Sequence, residues 1–162
     1  MTAQKNVANT ATENGEKTSL LSACQHYVDE RITNAKQAIS SAHDAAADDT
    51  KSSAGDKFET TREMMQQEIA RHQQLLTDAE RMSQTLHSLD MRKPSDVAKP
   101  GSLVETDHGV FFLAVSAGRL EIAGNTYWAV SAASPIGNRL IGLRAGDRFS
   151  FNQTVYTIKR VT

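Results

Sequence analysis

Between residues 18 and 92, apolar and small side chains return at intervals of three and four, and one short break divides the pattern in two. The first run places Leu21, Cys24, Val28, Ile32, Ala35, Ile39, Ala42 and Ala46 on one helical face. The second does the same for Phe58, Met65, Ile69, His72, Leu75 or Leu76, Ala79, Met82, Leu86 and Leu89. A period near 3.6 held over so many turns excludes strands, and each stripe needs a partner surface. The break, residues 48–56, reads Asp-Asp-Thr-Lys-Ser-Ser-Ala-Gly-Asp, in which Ser, Gly and Asp supply turn chemistry. Asp56, followed three residues later by Glu59, has the form of an N-cap with its capping-box partner. Two helices of similar length joined by a short turn pack antiparallel. At roughly 30 residues each, the predicted coiled-coil hairpin over 18–92 is about 45 Å long.

Past the second run the pattern changes. Residues 93–101 carry two of the three prolines, Pro94 and Pro100, and are predicted to be a linker. Beyond them the period drops to two and β-formers dominate at 102–105, 110–116, 127–131, 148–151 and 155–161. These segments predict a small antiparallel β domain over 102–162. Its one interruption has Ser134 before Pro135, and Gly142 just past Leu140 and Ile141, which predicts a single short helix. The expected class is therefore α+β.

The opening residues 1–17 are rich in Thr, Asn, Ala and Glu, and they lack the hydrophobicity needed to offset ordering entropy, so a disordered tail is expected. No apolar stretch approaches the roughly 20 residues that cross a bilayer, and nothing at the start has the form of a secretion signal. With 18 Lys and Arg against 19 Asp and Glu, the chain has no global basic field with which to hold nucleic acid directly. The single cysteine, Cys24, rules out an internal disulfide and a cysteine metal cluster, and fits a reducing, cytoplasmic setting. It lies on the packing stripe, so an inert buried thiol is expected. The five histidines show no metal-ligand spacing, and no metal site is assigned.

Charge is distributed unevenly. Asp44, Asp48, Asp49, Asp56 and Glu59 fall within 16 residues whose only bases are Lys51 and Lys57. Three of these acids end the first helix, where the macrodipole disfavours negative charge by about 0.3–1 kcal/mol each. A local rule broken in this way suggests charge kept to meet a cation on another molecule. Residues 101–162 carry six bases against four acids, opposite in sign to that end of the hairpin, which would orient the approach to a charged partner.

Two motifs carry a resemblance. In the β domain they are Ser131, then Ser134-Pro135-Ile136-Gly137, then Leu140-Ile141-Gly142, then Gly146-Asp147 and a closing strand with Tyr156. In the hairpin turn it is Asp49-Thr50-Lys51-Ser52-Ser53-Ala54 leading to Arg62-Glu63. Together with the order hairpin, linker, β domain, these resemble Gre-type transcript-cleavage factors over roughly residues 18 to 162. The family's tip motif has an Asp, a Lys and then a Glu before an Asn-Ala turn; Asp49 and Lys51 match, and Ser52 stands where the family has Glu.

The resemblance implies an FKBP-like fold for the β domain. It further implies insertion of the hairpin into the secondary channel of bacterial RNA polymerase, where tip acids reach the polymerase active site and promote cleavage of backtracked RNA. On this expectation the chain is a cytoplasmic monomer, not itself an enzyme, with no cofactor beyond the Mg²⁺ of its partner polymerase. The tip acids offered are Asp48, Asp49, Asp56, Asp44 and Glu59, in a turn built from Lys51, Ser52, Ser53 and Gly55. Ser52 also allows an alternative, a channel-binding regulator that does not stimulate cleavage. A prolyl isomerase is a third reading, drawn only from the fold analogy and disfavoured by an aromatic set that looks dispersed along the sequence.

Overall fold

The structure is a computed structural model that describes residues 3–49 and 56–162, with side chains described for 12–48 and from Glu59 onward. The protein is α+β. Two long helices, α1 (Ala3–Asp49) and α2 (Asp56–Ser88), pack together and are followed by a six-stranded mixed sheet. The strands are β1 (Leu103–Thr106), β2 (Gly109–Ala114), β3 (Gly118–Ile122), β4 (Asn125–Ser131), β5 (Arg148–Phe151) and β6 (Thr154–Val161), with α3 (Pro135–Leu140) between β4 and β5.

The chain falls into two compact units, one of Met1–His26 with Thr85–Thr162 and the other of Tyr27–Gln84. This division replaces the boundary expected at 93–101. Both helices contribute to both units, so helix and sheet do not coincide with the two bodies.

In the Tyr27–Gln84 unit, Val28 and Ala35 of α1 and Ala79 of α2 are buried, while Met65, Ile69, His72, Leu76 and Met82 are only partly covered. The choice left open by sequence falls to Leu76, because Leu75 stays 40 % exposed. His72 lies on the stripe as expected, with its Nε2 3.3 Å from Glu68 one turn earlier. Small side chains at the centre of the stripe let two helix backbones approach closely but bury little apolar area per turn.

The other unit contains the sheet, ordered β3-β4-β2-β1-β6-β5. Four neighbouring pairs are antiparallel, but β2 and β4 run parallel, with Phe111 opposite Trp128 and Leu113 opposite Val130, which corrects the all-antiparallel expectation. The parallel pair arises because an unforeseen strand, β3, occupies the return path. Two tight hairpins shape the edges. Ala123 and Gly124 (φ 50° and 80°) turn β3 into β4, and Asn152 and Gln153 (φ 48° and 66°) turn β5 into β6. Positive φ at both central residues matches the right-handed twist of the strands they join.

Alternation sorts the side chains onto two faces. On one, Val104, Phe111, Leu113, Phe149 and Ile158 form the core with Leu140 of α3 and Ala98. On the other, Leu103, Phe112, Ala114, Tyr127 and Ala129 are buried. The unbroken run Phe111–Ala114 is buried throughout, as expected for a central strand covered on both sides. The aromatics that look dispersed along the sequence stack together: Phe149 lies flat on Tyr156 at 4.8 Å, with Phe111 and His108 edge-on to the same ring.

Two further expectations are corrected. The segment 1–17, expected to be a disordered tail, is helical from Ala3 as the start of α1. Order there comes from its contacts: Tyr127 Oη donates to Glu16, Arg160 binds Glu13, and Leu20 is fully buried. Nor is 93–101 a free linker. Val97 bridges Arg144, the backbone of Ala98 exchanges hydrogen bonds with Leu143 and Gly142 at 2.8 Å, and the Ala98 methyl enters the core. Pro94 and Pro100 exclude helix, but they leave room for this short extended stitch.

Candidate functional site at the acidic ends of the two helices

α1 runs to Asp49 with no basic residue in its last turn, so no cation there offsets the negative end of the macrodipole. Asp44 and Asp48 are exposed. α2 opens at Asp56, whose expected capping contacts lie outside the described residues, and Glu59 is exposed in its first turn, where the dipole favours an acid. Among the described residues, no ion pair engages the carboxylates of Asp44, Asp48 or Glu59. The side chains of Asp49 and Asp56 lie outside the described residues, as do Lys51, Ser52, Ser53 and Gly55 of the expected turn. Among the described residues, no group of three or more His, Cys, Asp or Glu side chains could enclose a metal ion. Chemically, Asp44, Asp48 and Glu59 are exposed carboxylates, the oxygen type that hard divalent cations take as ligands.

The second set of candidate residues, in the sheet unit, proves architectural. Ser134 caps α3: its Oγ accepts from Gly137 N–H at 3.1 Å and donates to the Ser131 carbonyl at 2.6 Å. Pro135 stands in the first turn, where its missing N–H costs nothing, and Ile136 packs against the core. Gly137 is required by space: a Cβ there would lie 1.9 Å from the Ser131 carbonyl oxygen. Gly142 follows the helix at φ 84° and donates to Ala98, while Gly146, at φ 93°, donates to the Ile158 carbonyl. Asp147 accepts the Arg144 N–H on Oδ2 at 2.8 Å, closing the turn into β5. These residues hold α3 and its exit on the sheet and present no group for chemistry.

Residues not singled out from sequence form polar contacts on the opposite face. Glu16, Glu105, Tyr127 and Arg160 line a cavity of about 260 Å³. Arg160 is held by Glu13 at 2.5 Å and by Glu105 at 3.4 Å, so its charge is matched. Burial, then the bond to Glu16, pushes the Tyr127 hydroxyl up to about 12. Asp107, which accepts the Thr157 N–H at 2.8 Å, is held below its usual range by that bond. The one sequence signal for this group is the placing of Glu13, Glu16 and Lys17 along the first turns, which composition alone assigns to a tail.

No protein-family model matches the chain, and no curated protein matches it. No helix among the described residues is long and apolar enough to cross a membrane.

Proposed function

We propose that the chain is an accessory factor of bacterial RNA polymerase, entering the secondary channel as a coiled-coil finger and presenting tip carboxylates to the active site. One observation carries this reading: Asp44 and Asp48 stand exposed at the disfavoured end of α1 without an ion pair among the described residues. Acids kept where they weaken their own helix serve something outside it. Support also comes from the order of helix pair and sheet domain, and from the capped α3 with its Ser131, Ser134 and Gly137 framework. An FKBP-like assignment of the sheet domain belongs to the same reading.

The chemistry is in-line hydrolysis of a phosphodiester. Carboxylate oxygens from the tip help hold a divalent cation and orient a water in a site the polymerase owns, so the polymerase remains the catalyst and this chain is not itself an enzyme. The setting is cytoplasmic, and one chain acts on one polymerase. Ser52, at the position where Gre factors carry Glu, supports a second reading in which the finger occupies the channel without stimulating cleavage.

The test is to add the protein to a backtracked polymerase complex with Mg²⁺ and follow RNA shortening, then repeat with Asp48→Asn and Asp49→Asn. Shortening that disappears in the variant while binding persists supports cleavage. Binding with no shortening by either protein supports the second reading, and absence of binding removes both.

A further inference from the structure

On α1, Lys17 is only 6 % exposed, and among the described residues its ammonium makes no ion pair or hydrogen bond. It lines a cavity of about 410 Å³ within the sheet-bearing unit, with Asn14 and Leu21 from the same helix face and Leu89, Met91 and Arg92 from the segment after α2. This cavity is separate from the acidic helix ends and from the Tyr127 pocket.

The charges around Lys17 do not balance. Glu13, one turn earlier, attracts it but is engaged by Arg160, while Lys99 repels it. Arg92 adds a second cation at the rim and has no ion pair among the described residues. Lys17 is buried along most of its length while its nearest anion is shared with Arg160, and desolvation, then Lys99, holds its ammonium below the usual range. An oxyanion would relieve the imbalance by accepting charge-assisted hydrogen bonds from Lys17 and Arg92. The remaining wall is mixed: Asn14 and Thr18 are polar, Leu21 and Leu89 are apolar, and the apolar Met91 is adaptable in shape. A cavity of this volume, where polar groups converge beside three apolar side chains, fits a small organic molecule better than a bare ion.

We propose that this cavity binds a small amphipathic oxyanion, a phosphate monoester or a carboxylate with a compact apolar part. Lys17 and Arg92 take the charged end, and Leu21, Leu89 and Met91 the apolar end.

Calorimetric titration of the full chain with inorganic phosphate, phenyl phosphate, benzoate and benzyl alcohol tests it. Phenyl phosphate or benzoate should bind more tightly than inorganic phosphate or benzyl alcohol, and the tighter of the two identifies the natural head group. Lys17→Met, which removes the charge but keeps the buried stem and should stay folded by circular dichroism, should weaken that binding about ten-fold or more. Arg92→Gln, at an exposed position, should weaken it several-fold and serves if Lys17→Met does not fold. Failure of both anions to bind at millimolar concentration overturns the proposal. So does equal binding of benzyl alcohol, or undiminished affinity in the folded variants.

Discussion

The Tyr27–Gln84 unit and the sheet-bearing unit solve the problem of stability differently. Around the sheet, large side chains are covered on two faces, and hydrogen bonds tie residues far apart in sequence. Between residues 27 and 84 the buried apolar set among the described residues shrinks to Val28, Ala35 and Ala79, with a border of half-exposed Met, Ile and Leu. Packing of this kind keeps two helices together while leaving Asp44, Asp48 and Glu59 exposed. The fixed geometry resides in the other unit, and there the acids Glu13, Glu16, Asp107 and Asp147 are all engaged in structural bonds.

The sharpest challenge to this contrast is a pair of core substitutions. Phe112→Ala, at a fully buried ring, should cost about 3–5 kcal/mol in chemical denaturation, and Gly137→Ala should be comparable because its new methyl meets backbone. Leu76→Ala, on the half-exposed stripe, should cost about 1–2 kcal/mol. Equal costs would erase the distinction between the units.

Next in size is an alkaline effect. Burial pushes the Cys24 thiol from 9.0 to about 11, so between those values the unfolded chain has released a proton that the folded chain still holds. Stability should therefore fall as pH rises through this window, by about 2–3 kcal/mol once complete, and Cys24→Ala should remove that loss. Lys17 acts in the opposite sense. Its lowered value means the unfolded chain binds the extra proton, so stability gains as pH climbs from the folded value towards 10.5, and Lys17→Met should flatten that gain. Denaturant midpoints against pH for the two variants separate the contributions.

The smallest expected stability effect lies at the acidic end. Asp44→Asn and Asp48→Asn should each leave thermal stability unchanged or raise it by about 0.3–1 kcal/mol, because each removes a charge opposed to the helix dipole. A loss of stability would mean that these acids are structural after all.

What can be read from sequence follows the range of the interactions involved. The helix pair is legible because its signal repeats every turn from Leu21 to Leu86, and α3 because Ser134, Pro135 and Gly142 act on their own neighbours. Strand β3 is not: it is five residues long, begins at a glycine, and places Arg119 and Glu121 outward as an exposed ion pair, so its alternation rests on Leu120 and Ile122 alone. The helical start of α1 is equally hidden. Glu16 and Glu13 gain their partners 111 and 147 positions later, and no local window contains both members of either pair. At the acidic end, charge and position are legible in Asp44 and Asp48, whereas the engaged acids of the sheet unit differ from them only through non-local contacts.

Glu13 and Arg160 also fix a timetable. On a ribosome the first turns of α1 emerge well before β6, which flanks β1 in the sheet and carries their partner. The helices can form as they appear, but the sheet cannot be finished, nor the start of α1 seated on it, until almost all of the described chain has been made. An incomplete chain therefore displays its acidic residues while the sheet-bearing unit is still open. That unit closes only late in synthesis, after both helices have been made.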